Sequence, residues 1–199
     1  MECERVPGTV LLIRRTMRLS LGAVLVCITA LACTAASAQA QQLWGSRGRY
    51  RVSILVPVPQ QRAWRVLTNY EGLAGVLPDL KQARVLSRDG QQLVLEQTYQ
   101  APYTFGLAIK ARLRLQETPQ RQLSYSLIRG ERLRSLSGSW SLTPIGSGVL
   151  LEHRLAVDPE LPALLRSTYD ELMEANLLDS MRVLKRVMLQ APGAPPQRR

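Results

Sequence analysis

Hydrophobic positions change their spacing three times along this chain. Residues 50–56 alternate apolar with polar positions in a β-branched run, which predicts a strand. Pro57 and Pro59 end it, and 60–67 then carries Ala63, Trp64 and Leu67 at helical spacing behind Pro59. The stretch Asn69-Tyr70-Glu71-Gly72 breaks that helix, and 73–77 predicts a second short one before Pro78 and Asp79. Period two then returns for six more strands, at 81–88, 91–101, 105–117, 122–128, 132–142 and 149–157. Turn formers such as Asp89-Gly90 and Thr118-Pro119 separate them, and connections this short make the sheet antiparallel. From 162 to 190 the spacing becomes three and four. Leu165, Tyr169, Leu172, Met173, Asn176, Leu177, Leu184, Val187 and Met188 fall on one stripe. At about 1.5 Å per residue that helix is roughly 40 Å long.

The order predicts an α+β fold. A curved antiparallel sheet of about seven strands surrounds a long C-terminal helix, with two short helices after the first strand. One sheet face is apolar and the other charged, as when one side packs on a helix and the other meets water. The space between sheet and helix is either filled core or a site for an apolar ligand. Parity and helical spacing assign the candidate lining: Leu95, Gln97, Tyr99, Leu107, Ile109, Tyr125, Trp140, Leu151, His153, Tyr169, Met173 and Asn176. The polar members are the most informative, because a buried polar group needs a partner. Gly138, between Leu136 and Trp140, either leaves room for a ligand or marks a bend.

His153 is the chain's single histidine. Between Leu151 and Leu155 it reads as a wall residue bonded to Tyr99, Tyr125 or backbone. The sharper alternatives are a ligand contact or a general base, since imidazole titrates near neutral pH. No Ser-His-Asp arrangement is legible from spacing, so no catalytic residue is assigned unless His153 is one. No metal site, phosphate-cradling loop or dinucleotide fingerprint is present in the sequence, and no cofactor is expected.

The first forty residues predict a secretory signal. Arg14, Arg15 and Arg18 precede the apolar run 19–32, and small residues follow to Ala40. Met17 is a plausible start, and cleavage after Ala40 is preferred to cleavage after Ala38. A lipoprotein anchor through Cys33 is the weaker reading. Cys3, Cys27 and Cys33 are all the cysteines, so the exported chain needs no disulfide. The expected organisation is a signal at 1–40, a linker at 41–48, one ligand-binding domain at 49–190 and a disordered Pro- and Arg-rich tail at 191–199. The expected location is periplasmic or secreted.

Charge narrows the partners. From residue 41 onward there are 22 basic and 13 acidic side chains, mostly arginine. Aromatic and basic residues do not alternate in a base-stacking pattern, and nucleic acid is not expected. Lys110, Arg112 and Arg114 form a basic row on the outer sheet face, read either as a solvated surface or as a transient contact with anionic membrane.

The segments 63–71 (Ala-Trp-Arg-Val-Leu-Thr-Asn-Tyr-Glu), 77–80 (Leu-Pro-Asp-Leu) and 138–144 (Gly-Ser-Trp-Ser-Leu-Thr-Pro), followed by the long last helix, resemble the START-like superfamily. This is also called the polyketide cyclase/dehydrase and lipid transport group, and the chain looks closest to its coenzyme Q-binding branch. The resemblance covers about 49–190. It implies a helix-grip fold enclosing a hydrophobic pocket for a lipid, quinone or polyketide-like molecule, most members binding and a minority catalysing. The expected function is therefore an exported carrier. The alternatives are a cyclase, aromatase or hydrolase acting through His153, and an interaction module whose pocket is filled by its own side chains.

Overall fold

The computed structural model describes residues 41–191. Residues 1–40, where the sequence predicts a secretory signal, and residues 192–199, where it predicts a disordered tail, lie outside the described residues. Eight strands form one antiparallel sheet: β1 (Gln42–Ser46), β2 (Arg49–Val56), β3 (Leu80–Asp89), β4 (Gln92–Tyr99), β5 (Ile109–Thr118), β6 (Gln122–Gly130), β7 (Leu133–Ile145) and β8 (Gly148–Pro159). Their order across the sheet is β1-β2-β8-β7-β6-β5-β4-β3. Helix α1 (Gln60–Leu67) follows β2, and helix α2 (Arg166–Gln190) closes the fold. The helix-grip α+β architecture is therefore the one expected.

Its strand count is one higher. Residues 42–46 were expected in a linker and instead form β1, paired with β2 from Gln42↔Ser53 to Ser46↔Arg49. The connecting turn is Arg47-Gly48, both at positive φ (53° and 79°), a backbone that suits a two-residue hairpin. β1 is an edge strand with little burial, so no apolar alternation announces it. Its guanidinium–indole contact, Arg51 over Trp44 at 5.5 Å, lies on this hairpin.

The second predicted short helix is absent. Residues 70–77 form consecutive turns, held by bonds such as Leu73 N–H to the Asn69 carbonyl (3.0 Å). Gly75, at φ 76°, stands in the middle and ends helical propagation. The predicted strand 105–117 begins later, at Ile109. Before it come a single 3-10 turn at Pro102–Thr104 and positive φ at Phe105 and Gly106. The long helix starts at Arg166, preceded by another 3-10 turn at Ala163–Leu165.

The α2 residues that are buried are Tyr169, Met173, Leu177, Ser180, Met181, Leu184 and Met188. Their spacing of three and four lays one face along the sheet. Leu165, Leu172 and Val187 of the predicted stripe are only half-buried, and Met181 replaces them at its centre. The Tyr50 hydroxyl donates to Asp170 Oδ1 (2.6 Å) and ties β2 to the first turn of the helix. The Tyr70 hydroxyl donates to Glu117 Oε1 (2.6 Å), where Arg88 also donates (3.1 Å), pinning the turn segment to β5.

Candidate functional site: a cavity between sheet and helix

The grip is incomplete. A cavity of about 430 Å³ remains between α2 and the concave sheet face, within the range of sites for small organic ligands. Strand register explains its wall. Leu95 pairs with Leu113, Gln97 with Ala111 and Tyr99 with Ile109, so each pair shares a face. Leu115 sits across from Tyr125, Tyr125 across from Gly138, and Trp140 across from His153. The phenol-bearing turn segments and the α2 stripe close the other side. Phe105 and Leu107, 42% and 45% exposed, lie at the mouth with Arg132.

Eleven of the twelve expected residues line this cavity: Leu95, Gln97, Tyr99, Leu107, Ile109, Tyr125, Trp140, His153, Tyr169, Met173 and Asn176. Leu151 does not. It is fully buried on the same strand face, but deeper in the packed core. Parity gives the face, not the position along the strand at which packing ends and the void begins. Leu107 lines the rim from outside any strand, because the alternation stops at the turn around Phe105.

His153 is buried (7% exposed), and its Nε2 hydrogen-bonds the Tyr125 hydroxyl at 2.8 Å. The Trp140 indole stacks on it, centroids 3.8 Å apart and planes 3° from parallel. Burial lowers its pKa from 6.5 to about 3, so the ring is neutral at pH 7 and weakly basic. Burial likewise raises the Tyr125 phenol. Gly138 makes this arrangement possible. A Cβ there would stand 2.4 Å from the Tyr125 hydroxyl oxygen and 2.3 Å from the Arg154 carbonyl oxygen. The room it leaves is taken by Tyr125.

The second polar station was missed by sequence reasoning. Asp79 reaches the cavity from the end of the turn segment. Its Oδ2 accepts from the Tyr103 hydroxyl (3.0 Å) and from Asn176 Nδ2 (3.1 Å). Desolvation raises its pKa above the usual carboxylate value, while the Tyr103 and Asn176 bonds partly oppose the shift. Tyr103 in turn packs edge-on against Tyr169 (5.9 Å, 89°). Burial raises the Tyr99 and Tyr103 phenols, and the Asp79 charge adds to it. Tyr99 donates to Gln97 Oε1. The one available signal was a lone acid behind a proline in the apolar stretch Leu77-Pro78-Asp79-Leu80.

Ser180, one helical turn beyond Asn176, lines the cavity, and its buried hydroxyl has no hydrogen-bond partner. Lys110, Arg112 and Arg114 do not line it. Lys110 and Arg114 are exposed, whereas Arg112 is bonded to Glu96 at 3.0 Å, which interrupts the basic row. Among the described residues no three His, Cys, Asp or Glu side chains are grouped to hold a metal ion. Among them, too, no helix is long and apolar enough to cross a membrane.

Comparison with known proteins agrees with this geometry. The family model described as polyketide cyclase / dehydrase and lipid transport matches residues 56–182. No curated protein sequence matches the chain. Among solved structures, a START superfamily protein from Mycobacterium smegmatis superposes with a TM-score of 0.62 at 17% identity, covering 71% of this chain and 97% of that one. The Zhui aromatase/cyclase from Streptomyces sp. R1128 gives 0.61 at 15% identity, with coverage of 71% and 93%. A STAR-related lipid transfer protein from Xanthomonas axonopodis gives 0.58 at 14% identity, with coverage of 75% and 99%. At these identities the likeness is one of fold.

Proposed function

The chain belongs to the polyketide cyclase / dehydrase and lipid transport family, and on that premise we propose that it binds a hydrophobic small molecule, a lipid or isoprenoid quinone, and carries it without transforming it. The observation that supports this reading is the unfilled cavity, apolar over most of its lining and bearing a few isolated polar groups. Burial of apolar ligand surface drives binding at roughly 25 cal/mol per Å², and the polar groups orient the molecule. The charged, apolar and small-residue order of the first forty residues supports a carrier that works outside the cytoplasm. A cavity of this size favours a ligand site over an interaction module plugged by its own side chains.

A cyclase, aromatase or hydrolase working through His153 is the weaker reading. An imidazole with a pKa of about 3, pressed under Trp140 and bonded to Tyr125, is a poor proton acceptor at neutral pH. Replacing His153 by Phe separates the two readings. A carrier keeps most of its ligand affinity, while an enzyme loses turnover but still binds.

The direct test is extraction of the purified protein with organic solvent followed by mass spectrometry. A hydrophobic compound recovered in near-stoichiometric amount supports the carrier. An empty extract, together with no binding of short-chain quinones, lipids or uncharged apolar probes, overturns it.

A further inference from the structure

The apolar chamber contains one acid that the carrier reading leaves without a task. Asp79 faces the cavity, and its two side-chain donors, Tyr103 and Asn176, both converge on Oδ2. Its own backbone N–H also acts on the carboxyl, and since a carboxylate offers about four lone-pair sites over two oxygens, acceptor capacity remains at the cavity lining. Among the described residues Asp79 makes no salt bridge. The nearest basic group acting on it, Lys81, is exposed and donates instead to the Pro78 carbonyl (3.4 Å). Burying a carboxyl group this way costs free energy unless it is hydrogen-bonded. Asn176, Tyr103 and Tyr169 come from two separate elements and hold the carboxyl in one orientation. Such an arrangement is expensive for a wall that only has to be greasy.

We propose that Asp79 is the recognition point of the cavity, accepting a hydrogen bond from a hydroxyl of the bound molecule, so that the ligand class is uncharged hydroxylated hydrophobics (phenols, quinols and lipid alcohols). This rests on the cavity being a ligand site. The chemistry is selective in two directions. A ketone, quinone or ether of the same shape has only acceptors to present and leaves the carboxyl unmatched, a loss that polar sites register strongly, so within the cargo proposed above this site narrows the choice to a lipid alcohol or the reduced, quinol form rather than the quinone. Where Asp79 is ionised, a fatty acid or other carboxylate brings a second negative charge into a space of low dielectric, where like charges repel. The other station, Tyr125 with His153, is already satisfied internally and makes no such demand.

The test uses three probes of one shape: 4-nonylphenol, its methyl ether 4-nonylanisole, and 4-nonylbenzoate. Binding is measured by calorimetry to the described protein, to Asp79→Leu and to Asp79→Asn. The phenol is expected to bind the unaltered protein about tenfold more tightly than the ether, since a hydrogen bond to an ionised or buried acid is among the stronger ones, and the benzoate more weakly than either. In Asp79→Leu the gap between phenol and ether closes to within about twofold. In Asp79→Asn, which keeps the shape and removes the charge, benzoate affinity rises about tenfold or more, and this arm stands even where the Leu variant fails to fold. Phenol and ether binding alike, or a phenol preference that survives in Asp79→Leu, overturns the role of Asp79 while leaving the cavity reading intact. Failure of all three probes to bind the unaltered protein overturns the cavity reading itself.

Discussion

The Trp140 indole lies flat on the His153 imidazole, 3.8 Å between centroids, because the two residues are direct partners across β7 and β8. The stack seals one polar side chain into the cavity wall, with the Tyr125 hydroxyl as its side-chain hydrogen-bond partner among the described residues. This relationship sets the first prediction. His153 titrates at about 3 in the folded chain against about 6.5 unfolded. Between those values the unfolded chain binds a proton that the folded chain refuses, so acid favours unfolding. Stability should fall as pH drops from about 6.5 towards 3, by up to about 1.4 kcal/mol per pH unit, and this component should be flat above 6.5. Denaturant midpoints between pH 4 and 7 should show a shallower slope in His153→Phe. Equal slopes in the two proteins would mean that the ring is not protected from protonation.

Gly138 provides the space in which the Tyr125 ring sits. A methyl group there meets a backbone carbonyl as well as the phenol, and backbone cannot swing away. Gly138→Ala should therefore cost about 1–3 kcal/mol, the usual range for overpacking. It should also shift the His153 imidazole resonances, since Tyr125 is pushed off its nitrogen. A stable variant with unchanged resonances would show that the strand accommodates the methyl by sliding.

Asp79 carries a free-energy penalty that the ligand-free protein does not recover. Its pKa is raised by burial, so the folded chain holds the proton more tightly than the unfolded chain. Stability from this group falls as pH rises from the unfolded carboxylate value through the folded one, and above that it stays low. Asp79→Asn keeps an acceptor for Tyr103 and Asn176 without the charge. At pH 7 and without ligand it should be more stable than the unaltered protein, by about 0.5–2 kcal/mol, the range seen when stability and function are in conflict. A destabilised Asn variant would mean that the charged form is favoured by partners it needs.

Glu117 is buried under the turn segment and accepts from Tyr70 and Arg88. Tyr70→Phe removes one neutral donor and should cost about 1 kcal/mol. Glu117→Ala leaves the buried Tyr70 hydroxyl without its acceptor, removes the ion pair to the exposed Arg88 and should cost more, about 2–3 kcal/mol. Because Tyr70 and Leu73 belong to the cavity lining, hydrogen exchange in residues 70–79 should speed up in the Ala variant before the rest of the sheet does. Uniform exchange across the sheet would show that the segment is not held by this network.

Ser180 buries a hydroxyl with no partner beside the cavity. Ser180→Ala should leave the ligand-free protein as stable or more stable by about 1 kcal/mol, since a lone buried hydroxyl costs about that or more. A loss of stability in thermal melts of the ligand-free form would reveal a hydrogen bond that forms in solution.

Several of these positions are legible in the sequence. Strand parity placed Gln97, Tyr99, Tyr125, Trp140 and His153 on one face, and helical spacing placed Tyr169, Met173 and Asn176 opposite them. Parity is a property of the extended backbone itself, so it survives folding wherever the strand does. Leu107 lines the cavity as expected but from outside any strand, because positive φ at Phe105 and Gly106 ends the alternation. Parity was blind to the difference between Leu151 and His153, two residues apart on the same face, one in packed core and one at the void. It could not announce β1, whose residues have no buried side to mark.

What the chain alone determined is the succession of elements and the side of each that shuns water, because both follow from dihedral periods of two and 3.6 residues acting over short stretches. The tertiary structure decided how far the helix sinks into the sheet, and therefore that a cavity of about 430 Å³ persists. It also decided that Asp79, from an aperiodic turn, meets Asn176, 97 residues further along. Contacts at that separation depend on the curvature of eight strands and on the volumes of the side chains between them, neither of which any local spacing encodes.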